Sequence, residues 1–102
     1  MENSAEVIKY RHELVDSEFD QPVGWLETSV AEIEAQVLRV DRFGRSDSFF
    51  DFDGTSMDAI EICTRIEAEV GYRVPLHWLF ENDVLSDLVR RIQAEAEPVG
   101  PT

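Results

Sequence analysis

The chain has 102 residues, 43% of them hydrophobic, and 22 acidic against 9 basic side chains give it a formal net charge of −13. A chain of this length folds as one small domain with a modest core, which leaves little room for a deep, water-excluding catalytic cleft. Its negative surface repels nucleic acid and anionic membranes and steers in protein partners with basic patches.

Residues 1–22 are an acidic N-terminal extension in which Val7, Ile8, Tyr10, Leu14, Val15 and Phe19 recur with weak periodicity. Partial disorder and one extra helix over about residues 5–15 are both open there. From Leu26 the pattern is firm: Leu26, Val30, Ile33 and Val37, with Leu38 alongside, mark a helix ending near Val40. Ser29 and Glu32 match a capping box, so the start lies between Pro22 and Ser29, and the outer face is assigned Glu27, Glu32, Glu34 and Arg39. Residues 41–55 form a long loop with Gly44 and Gly54, pinned to the core by at least two of Phe49, Phe50 and Phe52. A second helix runs from about Ser56 to Val70 and stops at Gly71. One short turn of helix follows within 74–81 with Pro75 early, then a last helix over about Val84–Ala94 with Leu85, Leu88, Val89 and Ile92 inward. The tail, 97–102, carries Pro98 and Pro101 and is expected to be loose. The reading is an all-α domain over residues 23–96, a four-helix bundle with three longer helices, one short third helix and a long first loop.

Cys63 is the only cysteine, so neither an intramolecular disulfide nor a cysteine-based zinc site can form. Met1–Tyr10 lacks the apolar run of a signal peptide, and nothing approaches the ~18 apolar residues of a membrane span. A soluble, cytoplasmic protein is expected.

The second helix is the most informative. Ala59, Ile62, Cys63, Ile66 and Val70 make one apolar stripe, with Cys63 as a small core hydrophobe. With that stripe inward, Met57, Ile60, Glu61 and Thr64 face away and read as a partner-binding patch. Thr55 and Asp58 match a capping box, which makes Ser56 the first helical residue with its hydroxyl uncommitted. That hydroxyl sits at the positive end of the helix dipole, where a phosphodiester would be stabilised, and Gly54 leaves steric access to it.

In order and spacing, Phe49-Phe50-Asp51, Gly54-Thr55-Ser56-Met57, Pro75-Leu76, Leu79-Phe80-Glu81 and the helix from Leu85 to Ile92 resemble thiolation domains of nonribosomal peptide synthesis. These are peptidyl carrier proteins of the phosphopantetheine-dependent carrier family, and with the first helix the likeness covers roughly residues 24–94. Asp53 stands where such domains usually carry a second glycine, and Thr55 where they carry Asp or His. The resemblance implies an acyl-carrier-type fold, free-standing (type II) and monomeric, that catalyses nothing. Ser56, with Gly54 and Thr55 beside it, would receive 4′-phosphopantetheine from a phosphopantetheinyl transferase. The arm's thiol would then hold an aminoacyl, aryl or acyl group as a thioester. Loop one and the patch of Met57, Ile60, Glu61 and Thr64 would be read by an adenylating loading enzyme and by downstream tailoring or condensation enzymes of specialised-metabolite biosynthesis.

Other readings compete. An acyl carrier of polyketide or fatty-acid type is the alternative within carriers, and a carrier-like adaptor that is never modified is the alternative outside them. Direct catalysis is disfavoured because His12 and His77 belong to no recognisable acid–base set. Asp47, Asp51, Asp53 and Asp58 lack the spacing of a calcium loop and read as solvated acids, so no metal is expected. Trp25 and Trp78 are assigned to packing.

Overall fold

The computed structural model describes residues 7–100. Among them are helices α1 (Arg11–Leu14), α2 (Gly24–Leu38), α3 (Ser56–Val70), α4 (Leu76–Glu81) and α5 (Leu85–Glu95), with a 3₁₀ turn at Phe49–Phe52 in the long α2–α3 loop. The all-α bundle is built from α2, α3, α4 and α5, as the sequence implies.

The core is built mainly from stripes on α2, α3 and α5, with Trp78 and Leu79 added by the short α4. Val30 and Ile33 of α2 meet Ile62 and Ile66 of α3, Leu79 of α4, and Leu85, Leu88 and Ile92 of α5. Phe43, Phe49 and Phe52 fill the loop side of this core. Phe50, the third candidate pin, stays 49% exposed. A 3₁₀ turn cannot aim three aromatic rings within four residues into one core.

Two acids expected on the outer face of α2 are buried. Glu27 is held at the helix start. Its carboxylate accepts the Val23 N–H at 2.8 Å and a two-pronged contact from Arg45 at 2.9 Å for each nitrogen. That arrangement satisfies one of the helix's orphan donors from inside its first turn, so the Ser29–Glu32 box is not the start. The Arg45 guanidinium beside it holds the Glu27 carboxyl below its usual range. Glu34 is fully buried with neither carboxylate oxygen hydrogen-bonded. Its position explains this: Leu26, Val30, Glu34 and Leu38 step by four and share a face, so periodicity outweighs polarity. Burial, with Asp47 and Asp83 adding repulsion, pushes the Glu34 carboxyl up to about 8.

The loop also caps α5, which has no side-chain cap of its own. Leu85 N–H donates to the Asp47 carbonyl at 3.1 Å and Ser86 N–H to the Arg45 carbonyl at 3.0 Å. In the opposite direction Phe49 N–H donates to the Asp83 carbonyl at 2.9 Å. These bonds tie the stretch before Ser56 to the start of α5.

Where disorder and one extra helix were both open over about residues 5–15, the described residues from 7 onward carry the single turn α1 and are tied to the bundle at particular points. Lys9 N–H donates to the Arg39 carbonyl at 2.9 Å, and Asp41 N–H returns a bond to the Lys9 carbonyl at 3.0 Å. Arg11 is buried against Asp47, so Asp47 is not a solvated loop acid. The tail is held as well: Val99 N–H bonds the Gly71 carbonyl at 2.8 Å and Arg73 N–H the Glu97 carbonyl at 3.1 Å. Trp78 packs inward beneath Arg91, whereas Trp25 is 64% exposed at the outer start of α2. Residues 1–6 and 101–102 lie outside the described residues.

Candidate functional site

Ser56 opens α3, and its surroundings follow from two local devices. The first is the cap. Thr55 is the N-cap residue; its hydroxyl accepts the Asp58 N–H at 3.1 Å while the Asp58 carboxylate accepts the Thr55 N–H at 3.0 Å. This reciprocal pair takes the third helical N–H and leaves those of Ser56 and Met57 for an acceptor outside the helix. Ser56 is exposed and its hydroxyl takes no part in the cap. A phosphodiester on that oxygen fits the donor set, because it would meet unpaired N–H groups and the positive helix end.

The second device lies beneath. A Cβ on Gly54 would stand 2.3 Å from Cζ of Phe49, so residue 54 must be glycine for the fully buried Phe49 ring to pass under the loop. The room that Gly54 leaves is therefore taken on the inner side, in addition to any outward access. Asp53, just before it, holds a left-handed backbone with φ of 60°. Its N–H closes the 3₁₀ turn onto the Phe49 and Phe50 carbonyls.

Along α3, Met57 is 73% and Ile60 47% exposed, with Glu61 and Thr64 also on the surface. Ile60 and Thr64 share a shallow surface depression with Leu76 of α4, and that helix also carries exposed aromatic surface. Phe50 stacks on Phe80 with ring centroids 6.0 Å apart, and Leu76 is exposed nearby on α4. Cys63, on the same helix, points inward, and burial together with Glu34 pushes its thiol up to about 11. At neutral pH it is a thiol in a core, without nucleophilic character.

A cleft of about 260 Å³ is lined by Lys9, Leu38, Arg39, Phe52, Asp53 and Asp58 among others. Among the described residues no cluster of His, Cys, Asp and Glu is arranged to hold a metal ion. No helix there is long and apolar enough to cross a membrane.

Residues 28–92 match the family model described as the phosphopantetheine attachment site. The chain belongs to that family. It is a non-catalytic carrier domain with an all-α carrier fold, and its likeness is to the peptidyl carrier (thiolation) domains of nonribosomal peptide synthetases. Malpinin synthetase of Mortierella alpina is 34% identical over 83 residues, which is 81% of this chain but 1% of that protein. The chain spans 1% to 3% of the length of the first three synthetases it matches. Among solved structures, the peptidyl carrier protein in complex with the phosphopantetheine transferase Sfp and coenzyme A aligns with a TM-score of 0.70 and 26% identity, covering 76% of this chain and all (100%) of that one. BlmI, a type-II acyl-carrier protein of Streptomyces verticillus involved in bleomycin biosynthesis, aligns with a TM-score of 0.64 and 29% identity, covering 68% of this chain and 83% of that one.

Proposed function

We propose that Ser56 is the attachment residue and that the carrier holds an aminoacyl, or alternatively an aryl or acyl, group as a thioester for separate enzymes of nonribosomal peptide-type biosynthesis in the cytoplasm. The observation that carries this is the exposed Ser56 hydroxyl at the first position of α3, with capping taken over by Thr55 and Asp58. In the priming step the Ser56 oxygen attacks the phosphorus that bears the pantetheine in coenzyme A. The new P–O bond replaces the pyrophosphate bond, 3′,5′-ADP leaves, and the serine proton passes to a base of the transferase. The carrier's own part is to present the oxygen, leave two backbone N–H groups for the phosphodiester, and keep the loop fixed through Phe49.

Partner enzymes are proposed to read the apolar surface beside Ser56: Met57, Ile60 and Thr64 with Glu61 on α3, joined by the Phe50–Phe80 pair. A phosphopantetheinyl transferase, an adenylating loading enzyme and tailoring or condensation enzymes are the partner classes. The likeness to thiolation domains supports the aminoacyl cargo over a polyketide-type acyl group. Work in trans draws its support from the likeness to type-II BlmI.

The test is an intact mass after incubation with coenzyme A, magnesium and a broad-specificity phosphopantetheinyl transferase. A gain of one phosphopantetheine, absent in Ser56→Ala, is the expected result. A folded, initially unmodified sample that gains nothing from several transferases would instead support an unmodified adaptor.

A further inference from the structure

The cleft beside Ser56 exists because the N-terminal segment is docked. Its one wall is Lys9, fixed through backbone bonds to Arg39 and Asp41; its other wall is the end of α2 with Phe52 and Asp53 of the loop and Asp58 of α3. Asp53 and Asp58 both line it, three residues before and two after Ser56, so the cleft lies within a few residues of the attachment residue along the chain. Among the described residues, the non-glycine residues with positive φ are Arg39 and Asp53, each at 60°, and both line this cleft. Each is the left-handed cap that ends a helical element, Arg39 closing α2 and Asp53 the 3₁₀ turn, so the two element ends meet at this cleft.

The lining is chemically divided. Lys9 and Arg39 supply cationic donors, Asp53 and Asp58 supply acceptors, and Leu38 and Phe52 supply apolar wall. At about 260 Å³ the volume falls a little short of the roughly 300 Å³ at which pockets for whole drug-sized ligands begin. A fragment with an anionic group, a branched apolar centre and adjacent hydroxyl and amide donors would match each part of it. The phosphate end of a pantetheine arm, with its geminal methyl groups, hydroxyl and first amide, is such a fragment.

We propose that this cleft is a resting site for the phosphate-proximal half of the arm, and that the N-terminal segment, through Lys9, is part of it. This assignment rests on Ser56 being the attachment residue. In the resting position the phosphodiester faces Lys9 and Arg39, the geminal methyls lie on Leu38 and Phe52, and the hydroxyl and amide donate to Asp53. The thiol end then emerges free to be loaded.

The experiment compares amide spectra of the full isotopically labelled chain before and after modification, with the mass recorded on the same sample. Shifts at Lys9, Leu38, Arg39 and Phe52, and nuclear Overhauser contacts from the arm's geminal methyls to Leu38 and Phe52, are expected. In Lys9→Gln with Arg39→Gln, which leave the docking backbone bonds in place, those contacts weaken roughly fivefold, of the order that exposed charge contacts supply. A complete mass gain with shifts confined to residues 54–60 and no arm contacts overturns the cleft assignment and leaves the carrier reading intact. Absence of a mass gain overturns both. Unchanged contacts in the double variant overturn the cationic recognition. Inorganic phosphate producing the same shifts on the unmodified chain would mark a free-anion site instead.

Discussion

Arg11 and Asp47, thirty-six residues apart, form a two-pronged ion pair in which Nε and Nη2 of the arginine each reach a different carboxylate oxygen at 2.7 Å. Both side chains are nearly fully buried. Asp47 also accepts the Gly44 N–H at 2.8 Å, while the Arg11 guanidinium spans the carbonyls of Ser17 and Glu18. The pair thus joins the N-terminal segment to the loop that leads to Ser56.

Removing one partner leaves the other charge buried and unpaired. Arg11→Met is therefore expected to lower stability by roughly 3 to 5 kcal/mol in urea unfolding, and Asp47→Asn by a similar amount. A double variant should lose much less than the sum, because the sites share one interaction. Additive losses would mean that the pair does not couple the two segments.

Glu34 supplies a pH dependence of unusual sign. Its folded value of about 8 lies above the ordinary 4.5, so between these values the folded state binds more protons than the unfolded. Its contribution is fully present below about 4.5 and is lost as pH rises toward and through about 8. From pH 5 to 8 that loss amounts to roughly 3 to 4 kcal/mol on the scale of 1.36 kcal/mol per unit. The depressed carboxyls of Glu27, Glu69 and Glu81 act in the opposite sense, at acid pH, and are common to parent and variant. Glu34→Gln should therefore flatten the parent's decline between pH 5 and 8. Glu34→Leu should raise stability at pH 7.5, by about 1 to 3 kcal/mol, since an apolar group replaces an unpartnered polar one. Parallel pH profiles for parent and Glu34→Gln would refute the buried-proton account.

Asp53 adopts φ of 60° where a glycine would do so without strain. Asp53→Gly is expected to raise stability by roughly 0.5 to 1 kcal/mol, read as a higher Tm. The same variant should weaken arm contacts in the cleft, because it removes the acceptor there. Stability gained while the arm contacts stay unchanged would separate the backbone effect from any ligand role for the carboxylate.

Much of this was legible in the residues. The stripe of Ala59, Ile62, Cys63 and Ile66 and the Thr55–Asp58 box located α3 and freed Ser56, because helix periodicity and capping are local and the sequence states them directly. Glu34 was misplaced because its charge was given more weight than its four-residue step from Val30 and Leu38. Arg11 with Asp47, and Lys9 with Arg39, were not readable, since each pairing spans thirty or more positions and exists only once the bundle has formed. At least two of Phe49, Phe50 and Phe52 were expected in the core, and Phe49 and Phe52 are; that Phe50 is the ring left outside was not readable, because composition does not reveal which ring of a 3₁₀ turn faces out.

Gly54 offers the most direct link between local packing and the site. Gly54→Ala sets a methyl group 2.3 Å from the Phe49 ring, well inside contact distance, so either the ring or the loop must move. Overpacking of this kind costs about 1 to 3 kcal/mol. Because Phe49 is fully buried and edge-on to Phe50 at 5.5 Å, the loop is the part that yields, and Ser56 shifts with it. The expected outcome is a lower Tm together with slower phosphopantetheine transfer. Shrinking the ring in the same background, with Phe49→Leu, should recover transfer rate relative to Gly54→Ala even though the second change opens a cavity. If the rate stays low in the double variant while the fold is retained, Gly54 acts by giving the transferase access and not by seating Phe49.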